Sequence, residues 1–323
     1  MRGDLVMSKH NTLKKIVLTT IVLGTAMYAA NEYIIKKATE KNLLKKDPDD
    51  KYSFKYGDIF YKVSGEGKPV LLIHDINECS SGMEWCYLEQ KLAKTNKVYT
   101  IDLLGCGRSA KPKLSYNCFL YVQLISEFIK DVINEPVSII ATGKSAAPVI
   151  MTAKLREESI DKIMLINPTD LDVQNEIPSS YAKFKKGLIT CPILGTFIYH
   201  MMHTKKQIMN IFNEDYFSHF NIDYSEITDY YHESAHLDKS GSKYLYASIV
   251  GGSLNMNINH GLKVLDKDII IISGEDYYES DYVPEEYFAL NDNIECITIM
   301  DTSYLPQLEA PGKIADVVEE YWK

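Results

Sequence analysis

A serine stands where it could act as a nucleophile. The apolar run Val137–Ala141 is followed, after one threonine, by Gly143-Lys-Ser145-Ala-Ala147, a pattern that indicates a strand, a Gly-x-Ser-x-small turn and a helix. Small residues two before and two after the serine let such a turn close and expose the hydroxyl. A serine held in this way attacks ester or similar acyl carbons. In the alternative interpretation, Ser145 only caps the helix.

Three further segments match this arrangement. The apolar run Val70–Ile73 ends at His74-Asp-Ile76, and a glycine-rich segment follows at Asp102-Leu-Leu-Gly-Cys-Gly-Arg-Ser109. Near the C-terminus, Leu305-Pro-Gln-Leu-Glu-Ala-Pro311 precedes the last predicted helix. In this order the segments resemble those of the α/β-hydrolase family, over roughly residues 53–323.

The resemblance implies a role for several residues. Ser145 corresponds to the nucleophile, and the backbone N–H groups of Ile76 and Ala146 correspond to the oxyanion donors. The family's acid follows the strand Asp268–Ser273, where Asp276 is the first candidate. The spacing Gly274-Glu-Asp276 is one residue shorter than the family's, so two other aspartates remain alternatives, Asp281 and Asp170.

The family's catalytic histidine has no counterpart here. Its position, just before the x-Pro segment, is occupied by Tyr304, and no histidine follows His260. A phenol with a pKa near 10 donates a proton at neutral pH and does not accept one. Loss of the histidine costs a serine protease a factor on the order of a million in kcat. Four side chains remain as alternative bases: His74, His232, His236 and Lys144.

One short pattern indicates metal chemistry. His232-Glu-Ser-Ala-His236 places two imidazoles one helical turn apart, which is the spacing of a zinc helix. A third ligand and the surrounding zinc-protease fold are missing from the pattern. We therefore expect chance occurrence here, and no metal or other cofactor.

The elements that must position these residues alternate between strand and helix up to about residue 166, which predicts a parallel sheet. About a hundred helix-like residues then intervene before the alternation resumes. The predicted fold class is α/β, specifically an α/β-hydrolase fold: a mostly parallel central sheet flanked by helices, a helical cap insertion at about 168–266 and an N-terminal hydrophobic helix. The hydrolase domain is expected at 52–323, after a charged tether at 37–51.

The N-terminal segment 1–36 contains fifteen uncharged residues, Ile16–Ala30, between lysine pairs. We predict a single-pass membrane anchor, with its side of the membrane open. A cleaved signal peptide and an interfacial helix are the alternatives.

Composition narrows the possible functions. A net charge of −9 argues against a nucleic-acid partner, which would require a basic surface. The six cysteines have no C-x-x-C spacing, so we expect no disulfide framework. The oligomeric state is left open.

Three functions fit these observations. The first is a membrane-anchored serine hydrolase of ester or similar acyl substrates, with an atypical triad of Ser145, Asp276 and Tyr304. The second is an inactive α/β-hydrolase-fold module that binds a small apolar ligand or a protein partner at the membrane. The third is a lyase-like reaction in which Tyr304 acts as a proton donor.

Overall fold

The computed structural model describes residues 2–44, 51–218 and 224–322, with side chains from residue 14 onward. Within this part, eight strands form one sheet in the order β1-β2-β4-β3-β5-β6-β7-β8. The strands are β1 Lys51–Phe54, β2 Gly57–Ser64, β3 Lys68–Ile73, β4 Asn96–Ile101, β5 Val137–Thr142, β6 Ile160–Ile166, β7 Ile269–Gly274 and β8 Ile294–Ile299. From β4 to β8 all neighbours pair in parallel, whereas β1 and β2 are antiparallel.

The central strands are apolar on both faces because helices cover both sides of the sheet. Every residue of β5 and β7 is buried. On one side, Val149 of the helix after β5 joins the core, and on the other side Ile314 of the C-terminal helix does so. The helices outside the cap are α1 Arg2–Thr39, α2 Cys86–Leu92, α3 Cys118–Phe128 (extended by a π-helical turn Ile129–Ile133), α4 Ala146–Leu155, α12 Val283–Phe288, α13 Pro306–Glu309 and α14 Pro311–Tyr321.

A helical cap lies between β6 and β7. Its helices are α5 Leu171–Asn175, α6 Ser180–Thr190, α7 Ile193–Met202, α8 Lys205–Ile211, α9 Ser225–Ser240, α10 Lys243–Val250 and α11 Asn259–Lys263. The cap has its own apolar cluster, in which Tyr199 and Phe212 are fully buried. The predicted fold class, a mostly parallel sheet flanked by helices and interrupted by one helical cap, is confirmed.

The predicted membrane anchor is wrong. None of the helices in the described part of the chain is both long enough and apolar enough to cross a bilayer. The fifteen uncharged residues before Asn31 rise only about 22 Å, and a span would have required the residues beyond them as well. Those residues pack against the cap instead: the buried Asn31 amide donates to the Ile193 carbonyl at 3.1 Å. The predicted single-pass localisation is therefore wrong.

The end of α1 is fixed to the cap by one carboxylate. The amides of Leu43 and Leu44 donate to the two oxygens of Glu233 on α9, each at 2.9 Å. The predicted tether 37–51 therefore begins within α1 and includes this docked segment. Residues 45–50 of the tether lie outside the described residues.

Candidate active site

Three strand ends converge at one edge of the sheet, as parallel pairing requires. Asp75 follows β3, Gly143 follows β5, and Tyr304 lies in the loop after β8. The Asp75 carboxylate links them: Oδ1 accepts the Lys144 backbone N–H at 2.8 Å, and Oδ2 accepts the Tyr304 hydroxyl at 3.1 Å. The Lys144 ammonium lies 3.8 Å from Oδ2. Asp75 and Tyr304 are both buried.

The strained backbone of the strand-to-helix turn is at Gly143. Its φ of +53° lies in the left-handed region that favours glycine. A Cβ atom at this position would overlap the Tyr304 hydroxyl and would lie 2.6 Å from Asp75 Oδ1. The two side chains therefore close over the glycine and occupy the space that a side chain would need.

Ser145 lies two residues further, in the first turn toward α4. Its backbone is helical (φ −71°, ψ −14°), and its side chain is fully buried. Its hydroxyl donates to the His74 carbonyl at 2.6 Å, which uses its only proton. The structure thus brings Tyr304 onto Gly143, and it directs the Ser145 hydroxyl toward the backbone of the loop after β3.

The two predicted oxyanion donors differ in their surroundings. The Ala146 N–H donates to the Gly143 carbonyl within the 3₁₀ turn, so it is already paired. Ile76 lines a small cavity of about 60 Å³ together with Lys144 and Ala147. The amide that points toward the strand ends is that of Lys144, and Asp75 accepts its hydrogen bond.

The structure gives none of the three candidate acids a hydrogen bond to Tyr304. The Asp276 carboxylate accepts a short hydrogen bond from the Ser218 hydroxyl, and the Asp276 amide donates to the Thr302 carbonyl at 2.9 Å. Asp170 caps α5 by accepting the amides of residues 172 and 173. Asp281 lies in the turn before α12. The Tyr304 hydroxyl pairs with Asp75, a carboxylate that the sequence had not indicated.

The candidate histidine bases lie in structural positions. His74 Nε2 accepts the Leu103 N–H at 3.0 Å while Nδ1 lies 2.7 Å from the Asp75 carbonyl, and burial lowers the pKa of His74. His232 and His236 lie side by side in the cap, with ring centroids 4.5 Å apart and ring planes tilted by 40°. Burial lowers the pKa of His232 to about 4 and that of His236 to about 3.

A cavity of about 420 Å³ opens beside Tyr304, between the strand ends and the cap. Lys144, Tyr216 and Tyr277 are among the residues that line it. The ring of Tyr216 lies 4.7 Å and that of Tyr277 lies 5.1 Å from the Tyr304 ring, centroid to centroid. The remaining lining residues are Asn167, Thr169, Val173, Asp215, Tyr278 and Glu279.

Comparison with known proteins identifies the fold. No family model matches the chain. A curated relative, the 2-hydroxy-6-oxo-6-(2'-aminophenyl)hexa-2,4-dienoic acid hydrolase of Metapseudomonas resinovorans, is 28% identical over 116 residues, which are 35% of this chain and 40% of that enzyme. A solved serine hydrolase involved in carbazole degradation (CarC) superposes with a TM-score of 0.68 at 19% identity, covering 84% of this chain and 97% of that one. The epoxide hydrolase CorEH superposes with a TM-score of 0.67 at 15% identity, covering 84% of this chain and 97% of that one.

This chain has the α/β-hydrolase fold. The match to the curated relative spans only two fifths of that enzyme's length, 40%. The solved structures, by contrast, are covered almost completely.

Within this α/β-hydrolase fold, the buried Asn167 and the partly buried Glu309 hold the loop that carries Tyr304. The Asn167 amide donates to the carbonyls of Ser303 and Tyr304 at 3.0 and 2.9 Å, and its oxygen accepts the Gly274 N–H. Glu309 accepts the Ser303 N–H at 2.7 Å, and burial raises its pKa to about 7. Sequence reasoning missed Asn167 because a lone asparagine after a strand carries no pattern. Glu309 lies in the C-terminal Pro-x-x-Glu motif but had been given no role.

Two groups in the described part of the chain bring three potential metal ligands together. One contains Asp170, Asp172 and Glu286, in which Asp170 caps a helix and Glu286 accepts the Leu171 N–H. The other contains Glu78, Cys79 and His203, all of them buried. His232 and His236 belong to neither group.

Proposed function

We propose that this protein binds a small organic molecule without forming a covalent bond to it, in the cavity between the sheet edge and the cap. One observation carries the proposal: Gly143 occupies the strained turn after β5, and Asp75 and Tyr304 close over it. The fold supports a relationship to hydrolases, whereas this contact argues against a serine nucleophile at the turn.

The chemistry of acyl transfer requires a nucleophile next to a base. The Ser145 hydroxyl donates to the His74 carbonyl, which cannot take up its proton. The Tyr304 phenol is a donor, and burial together with the nearby Asp75 raises its pKa well above the usual range. Asp75 also accepts the Lys144 amide, a group that could otherwise stabilise an oxyanion. The Ser145 hydroxyl, the Tyr304 phenol and the Lys144 amide are thus each paired with a group that does not support acyl transfer.

The cavity lining indicates the kind of ligand. Tyr216, Tyr277 and Tyr304 offer flat aromatic surfaces, which suit an aromatic or unsaturated body. The Lys144 side chain is 37% exposed and its ammonium lies 3.8 Å from Asp75 Oδ2, so it offers a cation that a ligand carboxylate or carbonyl oxygen shares with Asp75. The curated relative is named for hydrolysis of an unsaturated carboxylic acid with an aminophenyl group, which supports the same ligand class.

Hydrolysis through Ser145 is the second candidate. It is favoured by the names of the similar proteins, a dienoic acid hydrolase and a serine hydrolase. It requires that the Ser145 side chain leave the His74 carbonyl and find a base when substrate binds.

A fluorophosphonate probe separates the two candidates, because it labels serines that are activated as nucleophiles. We expect no labelling of the folded chain under conditions that fully label a known serine hydrolase. Labelling that disappears in Ser145→Ala would contradict the binding proposal and establish the second candidate. In parallel, thermal-shift screening of aromatic and unsaturated carboxylic acids should yield ligands whose effect is weaker in Lys144→Ala. If no compound of this class binds, the ligand assignment fails.

A further inference from the structure

A cysteine, a histidine and a glutamate meet under the cap, away from the strand-end contact. Glu78 and Cys79 lie in the loop after β3, and His203 lies at the end of α7. One potential ligand atom from each lies within 4.8 Å of the others, and all three residues are buried. They line a cavity of about 160 Å³, with Tyr216 between it and the larger cavity beside Tyr304.

The orientation of His203 is fixed from several sides. Its Nδ1 lies 2.7 Å from the Tyr199 carbonyl, which only accepts hydrogen bonds, so Nδ1 carries the proton. The imidazole stacks on the Tyr199 ring at 4.0 Å, and the Tyr246 ring meets it edge-on at 4.8 Å. A backbone carbonyl on one ring nitrogen is the usual arrangement that presents the other nitrogen to a metal.

That other nitrogen faces an oxygen. Nε2 of His203 lies 2.7 Å from Glu78 Oε1. In a neutral imidazole with Nδ1 protonated, both of these atoms carry lone pairs, so a cation must stand between them. A proton satisfies the pair, and so does a metal ion. The two possibilities differ in whether the third residue, Cys79, takes part as a ligand.

Cys79 gives the site a soft ligand. Its backbone N–H donates to Asn77 Oδ1 at 2.8 Å, which fixes the loop and therefore the direction of the side chain. Burial, with the adjacent Glu78, raises the pKa of the Cys79 thiol well above its usual range. A proton shared by Glu78 and His203 needs no sulfur, whereas zinc favours a set of thiolate, imidazole and carboxylate.

We propose that Glu78, Cys79 and His203 form a zinc site that joins the loop after β3 to the cap. Two ligands about 2.0 Å from a tetrahedral ion are about 3.3 Å apart, so Glu78 Oε1 and His203 Nε2, which lie 2.7 Å apart, must separate by about 0.6 Å. The adjoining cavity leaves room for this shift and for a water or ligand oxygen in the fourth position. Glu78 and Cys79 are adjacent, but His203 lies 125 residues after Glu78, so the three ligands form no local metal-binding spacing in the sequence.

Cobalt titration of the full chain, purified without metal under reducing conditions, tests this proposal. We expect one Co²⁺ per chain, a thiolate-to-cobalt charge-transfer absorption, and displacement of Co²⁺ by Zn²⁺. Because zinc must displace the thiol proton and the proton between Glu78 and His203, the apparent affinity should rise by at least about tenfold per pH unit near neutrality. Zn²⁺ should also raise the melting temperature of the chain.

Variants locate the site. Cys79→Ser should abolish the charge-transfer band, and His203→Gln should weaken Co²⁺ binding by about a hundredfold or more. The matched controls, Cys296→Ser at an exposed cysteine and His236→Gln in the competing pattern, should bind as the parent chain does. Circular dichroism of each metal-free variant checks folding, and Glu78→Gln replaces any variant that does not fold.

Three results would overturn the proposal. The first is the absence of stoichiometric Co²⁺ and Zn²⁺ binding, which would leave a shared proton between Glu78 and His203. The second is an unchanged charge-transfer band in Cys79→Ser. The third is loss of binding in His236→Gln while His203→Gln still binds.

Discussion

The Tyr304 hydroxyl donates to Asp75 Oδ2 across 3.1 Å, joining the loops after β3 and β8, which are 229 residues apart in the chain. Both side chains are buried, so this bond forms where water cannot replace it. The relationship gives Tyr304 a definite role. Its hydroxyl donates a hydrogen bond to a buried carboxylate, and its side chain fills space next to Gly143.

Tyr304→Phe removes this donor and keeps the ring. We expect the free energy of unfolding to fall by about 1–3 kcal/mol, because a buried carboxylate oxygen loses a hydrogen-bond partner. Urea unfolding followed by circular dichroism measures the change. Tyr278→Phe, at a tyrosine that is 69% exposed, is the control and should change stability by less than about 0.5 kcal/mol. Equal effects of the two variants would mean that the bond to Asp75 contributes nothing.

Gly143→Ala tests whether the space over the turn is filled. The new methyl group would meet Asp75 and Tyr304 in a backbone conformation that alanine disfavours, so we expect a loss of about 2–4 kcal/mol. Gly187 in α6 has no atom within 4 Å of its added Cβ, so Gly187→Ala should instead stabilise by about 0.5–1 kcal/mol. The same urea unfolding experiment compares both. A neutral Gly143→Ala would show that the two side chains do not close over the turn.

Introducing an activated serine at the turn after β5 requires three substitutions in one variant. Asp75→Gly clears the space, Gly143→Ser places a hydroxyl at the strained turn, and Tyr304→His supplies a base beside it. We expect the triple variant to react with a fluorophosphonate probe, and each single variant to remain unlabelled because one requirement is still unmet. Labelling of Tyr304→His alone, lost again when Ser145→Ala is added, would place the latent nucleophile at Ser145 instead.

The sheet and the cap could be predicted from the sequence because their signals are local and repeated. The buried strands β3, β5 and β7 are short apolar runs between turns, and the long helix-like interval between β6 and β7 has no strand signal. The end of α1 could not be predicted in this way. Its apolar residues fit several environments, and only tertiary contacts such as that of Asn31 with Ile193 show that α1 docks on the cap.

The position of the turn could not be resolved from the sequence either. Ala141-Thr-Gly143-Lys-Ser145 and Gly143-Lys-Ser145-Ala-Ala147 both place small residues two before and two after a central residue. Which one forms the turn depends on where β5 ends. The structure ends β5 at Thr142 and places the positive φ at Gly143, two residues before the serine. Asp75 was overlooked because its partners are distant in sequence.

Asn167 positions the loop that bears Tyr304. Asn167→Ala would leave the buried carbonyls of Ser303 and Tyr304 and the Gly274 N–H without this partner, so we expect a loss of about 2–4 kcal/mol. Hydrogen exchange should increase in the peptide that covers residues 301–305. Asn255→Ala removes a comparable pair of amide-to-carbonyl bonds at an exposed site and serves as the control. Unchanged exchange in the Tyr304 loop would contradict a positioning role.

Three neighbouring histidines of the cap, His200, His232 and His236, should make the folded chain less stable in mild acid. Burial lowers the pKa of His200 and His232 to about 4 and that of His236 to about 3, from an ordinary value of 6.5. The His236 ring lies 5.0 Å from that of His200, and its Nε2 is buried without a partner. Protonated histidines here would repel one another and lack solvent, so the folded state holds them neutral.

The sign of the pH effect follows from linkage. Between about pH 6.5 and 4 the unfolded chain binds protons that the folded chain does not, so the stabilisation is complete above pH 6.5 and is lost as the pH falls. One such histidine costs about 2 kcal/mol at pH 5. Lys205 and Asp229 flank His232 with opposite charges, whereas His200 and His203 reinforce the effect on His236. Urea unfolding of metal-free protein gives the free energy of unfolding at pH 7 and at pH 5. The loss of this free energy between the two pH values should be smaller in His236→Gln than in the parent chain. It should be unchanged in His260→Gln, at an exposed site. A His236→Gln variant that loses as much stability in acid as the parent chain would rule out this histidine as a source of the pH dependence.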